Sequence, residues 1–94
     1  MINREAETEK YYRAREELEI KISEFLGKNS QRKLTLEEIA ETIEIPLYWK
    51  GFDKPQREVI VSKELSHLVK MGKVEESIVE RKEFKEICYY QIKR

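Results

Sequence analysis

Eight side chains in the second half of the chain have the types and spacing to meet a polyanion. They are Gln56, Arg57, Lys63, His67, Lys70, Arg81, Lys82 and Lys85. Gln and Arg can pair bidentately with base edges, whereas Lys mostly meets phosphate. Residues 54–94 hold ten Lys and Arg against seven Glu, a net of +3, while residues 1–53 hold nine against twelve acids, a net of −3. The positive half is therefore the half expected to dock on nucleic acid. Glu58, Glu64, Glu80, Glu83 and Glu86 lie among these cations and oppose phosphate. The competing expectation is a charge-rich face that is simply solvated.

Other chemistry is poorly supplied. His67 is the only His, with no Cys or His company for a metal and no nucleophile with an orienting acid beside it. A surface polar contact is its expected role. Cys88 alternates with tyrosines and reads as a small apolar core residue, and a lone Cys excludes an intramolecular disulfide. There is no Gly-rich phosphate loop and no metal-ligand spacing. These readings predict a chain that is not an enzyme and uses no cofactor, metal or small-molecule substrate. Tyr48, Trp49 and Phe52 form an aromatic cluster, expected to plug a gap between helices or, alternatively, to offer a platform to a ligand or partner.

The elements that position these residues follow from periodicity. Residues 4–26 lack Gly and Pro and place Tyr11, Ala14, Leu18, Ile22, Phe25 and Leu26 on one helical stripe, with Gly27 as the expected C-cap. Lys33 and Leu34 suggest a bridging strand. Thr35 and Glu38 have capping-box spacing before a helix of about ten residues that buries Leu36, Ile39, Ala40 and Ile43 and is ended by Pro46. Asp53 and Pro55 open a third helix with Val61, Leu65, Leu68 and Val69 inside and Gly72 at its end. Its exposed face runs through Gln56, Ile60, Lys63, His67 and Lys70, with Arg57 beside the N-terminus. Beyond Gly72 the period becomes two. Residues 73–81 and 86–92 are predicted to form an antiparallel hairpin, with Cys88, Tyr90 and Ile92 on one face.

Composition sets the frame. A chain of 94 residues makes one domain, expected over 1–94. Charged residues make up 40% with zero net charge, yet Leu, Ile, Val and Phe supply 25 positions, enough for a folded chain with a thin core. No apolar run is long enough to span a membrane, and the charged stretch Met1–Lys10 is unlike a signal peptide, so an intracellular, cytoplasmic protein is expected. Eighteen Glu to one Asp, twelve Lys and five Asn and Gln resemble a hyperthermophile composition, though a helix-rich chain also favours Glu over Asp.

The order helix, short strand, helix, connector, helix, hairpin resembles a winged helix-turn-helix domain. The stretch Val61 to Glu75 is similar to the recognition helix and first wing strand of regulators of the MarR and ArsR type, with their L-x-x-L-x-x-x-G-x-V/I pattern. Tyr89-Tyr90-Gln91-Ile92 is similar to their second wing strand. The resemblance covers residues 34–92, an α+β winged helix. The surplus of residues in the 46–54 connector departs from a tight helix-turn-helix. It implies a transcription regulator that reads double-stranded DNA with the third helix while Arg81, Lys82 and Lys85 reach a neighbouring groove. A protein-interaction winged helix without DNA binding is the alternative. Residues 1–27 form a helix longer than a three-helix core needs. Tyr11, Tyr12, Ala14 and Leu18 are accordingly expected to make a homodimer.

Overall fold

A computed structural model describes the backbone of residues 4–82 and 85–93 and the side chains of residues 7–77 and 88–93. Helix α1 spans Arg4–Lys28, strand β1 Leu34–Thr35, helix α2 Leu36–Thr42 and helix α3 Lys54–Lys70. The hairpin strands β2, Val74–Lys82, and β3, Lys85–Ile92, follow, and a single 3-10 turn at Leu47–Trp49 lies in the connector. The chain is α+β, with three helices and an antiparallel sheet of order β1-β3-β2, a layout compatible with a winged helix.

Helix α1 buries Ala14, Leu18, Ile22 and Leu26, the stripe its spacing predicts. It does not end at Gly27. The backbone and side-chain amides of Asn29 both donate to the Phe25 carbonyl, at 3.2 and 2.8 Å, so Asn29 closes the last turn and no left-handed residue is needed there. Helix α2 starts as expected. Glu38 N donates to Thr35 Oγ1 at 3.2 Å and Thr35 N to Glu38 Oε1 at 3.4 Å, the reciprocal capping box. It is shorter than expected, because Ile43 is already extended and Thr42 turns its hydroxyl onto the Glu38 carbonyl at 2.7 Å. Leaving the helix there lets Ile43 and Pro46 be buried in succession along the connector.

The bridging strand lies one residue later than expected. Leu34 pairs with Tyr90 and Thr35 with Tyr89, so β1 is fastened to β3 across the sheet. Strands β2 and β3 pair from Val74 with Ile92 to Lys82 with Lys85, with one irregularity between Ile78 and Glu80. Tyr90 is buried, and Cys88 and Ile92 pack against the core beside it, so the period-two reading of that face holds. One core joins all these elements: Leu18, Ile22 and Leu26 of α1, Ile39 of α2, Val61, Leu65 and Leu68 of α3, and Leu34, Val74 and Tyr90 of the sheet.

Candidate nucleic-acid interface

Helix α3 is fixed at both ends. Gln56 N donates to Asp53 Oδ1 at 2.9 Å and Asp53 N to Gln56 Oε1 at 3.0 Å, a second capping box, with Pro55 in the first turn. At the other end Gly72 takes φ +75, the left-handed geometry that closes a helix. Lys54 joins α3 to α2 through Glu37 at 2.7 Å and Glu41 at 3.1 Å. Its bond to Glu37 holds the lysine above, and the carboxylate below, their ordinary ranges.

With Val61, Leu65 and Leu68 turned inward, Lys63, His67 and Lys70 remain exposed at spacings of four and three on the outer side of the helix. Among the described residues neither Lys63 nor Lys70 is held by a carboxylate. The lysines that flank them are: Lys54 by α2, and Lys73 by Glu19 of α1 at 3.2 Å. The acidic half of the chain thus neutralises the ends of this region and leaves its middle positive.

Two of the sequence-predicted contacts sit differently. Gln56 is exposed, but its carbonyl oxygen is committed to the cap, so a bidentate contact to a base would open the first turn of α3. Arg57 is half-buried. It falls on the side of Val61, Glu64 and Leu68, and its Nε is enclosed without a partner, which takes it off the outer face. Arg81 and Lys82 end β2, and Lys85 begins β3 opposite Lys82. Their side chains lie outside the described ones, and residues 83–84 lie outside the described residues altogether.

Beside this stripe lies a groove of about 510 Å³ between α1, the 3-10 turn and α3, with Tyr11, Trp49, Phe52, Val59 and Ile60 as apolar walls and Arg15, Lys63 and Glu64 among its polar lining. Trp49 fills the gap between helices as expected, whereas Tyr48 and Phe52 stay partly exposed. Tyr11 meets Tyr12, Tyr48 and Trp49 with ring centroids 5.7, 6.0 and 6.3 Å apart. Of the residues expected at a dimer interface, Ala14 and Leu18 are enclosed in the chain's own core, with Leu18 in the lining of the groove. Tyr11 and Tyr12 remain accessible.

Glu64 was expected to oppose phosphate from the surface. Instead it is 4% exposed and faces Arg15, whose Nε lies 3.5 Å from Oε2 and whose guanidinium carbon stands 5.9 Å from the Tyr11 ring centroid. Its place, three residues after Val61 and four before Leu68, is a core position by helical spacing; the charged residue type masked it. The Asp53-x-x-Gln56 spacing was likewise a readable cap. On the sheet, burial first and then the charges of Glu76 and Cys88 push the Tyr90 phenol up to about 12, so it remains protonated. Among the described residues no His, Cys, Asp or Glu cluster has the geometry to hold a metal ion, and no helix is long and apolar enough to cross a membrane. No family model, curated protein or solved structure matches the chain.

Proposed function

We propose that the chain is a winged-helix protein that binds duplex DNA and serves as a small intracellular transcription regulator. The observation that carries this reading is the exposed stripe of Lys63, His67 and Lys70 on α3, with neither lysine paired to a carboxylate among the described residues while their neighbours Lys54 and Lys73 are paired. Seven residues of helix extend about 10 Å, and the major groove is about 12 Å wide, so one groove can take the stripe. The element order and the β1-β3-β2 sheet support the winged-helix part of the reading. The hairpin is then the wing, with Arg81, Lys82 and Lys85 at its outer end. Lys63 and Lys70 serve phosphate and make binding salt-sensitive, His67 lies between them, and the net charge of zero keeps the attraction modest.

The test is a mobility shift with random duplex DNA over a range of salt. Changing Lys63 and Lys70 together to Ala should weaken binding and lower the slope of log K against log salt by about 1.8, since each phosphate contact contributes about 0.9. An unchanged slope, or no shift at low salt, removes the assignment. The aromatic groove favours a second reading, a winged helix that binds protein instead. It predicts no shift with any duplex.

A further inference from the structure

The groove between α1, the 3-10 turn and α3 changes character from floor to mouth. Its walls are aromatic, at Tyr11, Trp49 and Phe52. Glu64 is almost wholly enclosed and belongs to the floor, whereas Lys63, the exposed residue before it, belongs to the rim. A cleft of about 510 Å³ with apolar walls and a few convergent polar groups has the make-up of a small-molecule site, for which about 300–1,000 Å³ is usual. The floor carboxylate is poorly served by the chain itself. Its ion-pair partner among the described residues is Arg15, whose Nε stands 3.5 Å from Oε2, beyond the 2.7–2.9 Å of a well-formed charged hydrogen bond. Oε1 is left out of that contact. A buried charge held this loosely lowers stability, so its presence in a cleft calls for another role.

We propose that this groove binds a guanine nucleotide, with the base between the aromatic walls, its amino edge on Glu64 and its phosphate on Lys63. Each part of the ligand answers one part of the groove. The walls select a planar ring, because a base stacks on aromatic faces. The floor selects donors. A carboxylate only accepts, and the adjacent N1–H and N2–H groups of guanine match its two oxygens. Adenine and cytosine each set one amino group beside a ring nitrogen that accepts, and so leave one carboxylate oxygen facing an acceptor. Guanine also carries O6 next to N1–H, as Arg15 stands next to Glu64, and arginine suits the O6 and N7 acceptors. The rim selects an anion. Glu64, Arg15 and Lys63 together carry a charge of +1, which a phosphate ester balances. An aromatic carboxylate would meet the rim but would bring no donor to the floor.

The site goes beyond the DNA reading and stands without it. Lys63 is open in the free chain, as that reading requires, and a nucleotide on the rim takes it up. Where the chain also binds a duplex, nucleotide and duplex therefore compete for Lys63, while His67 and Lys70 lie outside the groove lining. The same guanine chemistry is offered by a free nucleotide and by an unpaired guanine in a strand, and the test separates the two.

Trp49 is the only Trp of the chain and lines the groove, so its fluorescence reports a base stacking there. Titrating the full chain with guanosine monophosphate, up to about 1 mM, should quench it with a dissociation constant of about 10–100 μM. Adenosine and cytidine monophosphates should bind about tenfold more weakly or worse, because they leave part of the floor unpaired. Guanosine, which lacks the phosphate, should also bind more weakly. Lys63→Ala should bring the nucleotide down to the level of guanosine and leave guanosine itself unchanged. Glu64→Gln should weaken the nucleotide about tenfold and abolish its advantage over adenosine monophosphate. Helical circular dichroism checks that each variant is folded. No saturable quenching, equal binding of the three nucleotides, or unchanged affinity in either variant overturns the proposal. A thymidine pentamer with one central guanine tests the source: if it saturates the groove at lower concentration than the nucleotide, the ligand is an unpaired base of a strand, and otherwise it is the free nucleotide. A duplex shift by a chain that binds no guanine ligand fails this proposal alone. Nucleotide binding by a chain that shifts no duplex fails only the DNA reading.

Discussion

Replacing Glu64 by Met should stabilise the protein, although it deletes an ion pair. At 3.5 Å the attraction between Glu64 and Arg15 is about 5 kcal/mol for an effective dielectric of 20. The carboxylate is almost wholly enclosed while the Arg15 side chain keeps 35% of its surface in water. Burial therefore costs Glu64 several kcal/mol, and solvent screens the partner that should offset it. The contact also exceeds the 2.7–2.9 Å of a well-formed charged hydrogen bond. The two terms roughly cancel. Methionine has similar length and removes the desolvation cost while adding apolar area between Val61 and Leu68, so a gain of about 1–2 kcal/mol is expected. Arg15→Ala should do the opposite and cost about 1–3 kcal/mol, because it leaves the buried carboxylate uncompensated. In the double variant most of that loss should vanish, since no charge remains to be orphaned. Thermal unfolding reads all three, at about 4–8 °C per kcal/mol for a domain of this size. A loss of more than about 1 kcal/mol in Glu64→Met, or additive effects in the double variant, would refute the reasoning.

Two further outcomes follow from single positions. Gly72→Ala should cost about 1–2 kcal/mol in chemical denaturation although nothing lies within 4 Å of an added Cβ, because the whole penalty is the left-handed backbone at φ +75; a neutral substitution would mean that α3 closes another way. Tyr90 should ionise near pH 12 in a phenolate absorbance titration. Because its folded-state value is raised, its contribution to stability is complete below the ordinary tyrosine range near pH 10 and is lost as pH rises toward about 12; Tyr90→Phe should remove both the late component and that loss.

Local chemistry made much of the fold readable. The Thr35 and Asp53 caps, the left-handed Gly72 and the change of period after it are decided by a few neighbouring residues, and the structure has them where the residue types put them. The inward stripes of α1 and α3 are equally local, because 3.6 residues per turn fixes which side chains share a face. The exposed Lys63, His67 and Lys70 follow from the same arithmetic.

What sequence order did not carry is which elements meet. Glu64 looks like a surface acid until α1 lies across α3 and brings Arg15 over it, 49 positions away. Ala14 and Leu18 look like a stripe in excess of one core until the same packing encloses them, and Arg57 looks free until folding half-buries it and encloses its Nε. The groove between Tyr11, Trp49 and Val59 exists in no segment alone. Backbone periodicity and caps are short-range, set by energies that each residue carries with it. Burial of a charge, the pairing of Lys54 and Lys73 with distant acids and the exposure of an aromatic face depend on distances that only the folded chain defines.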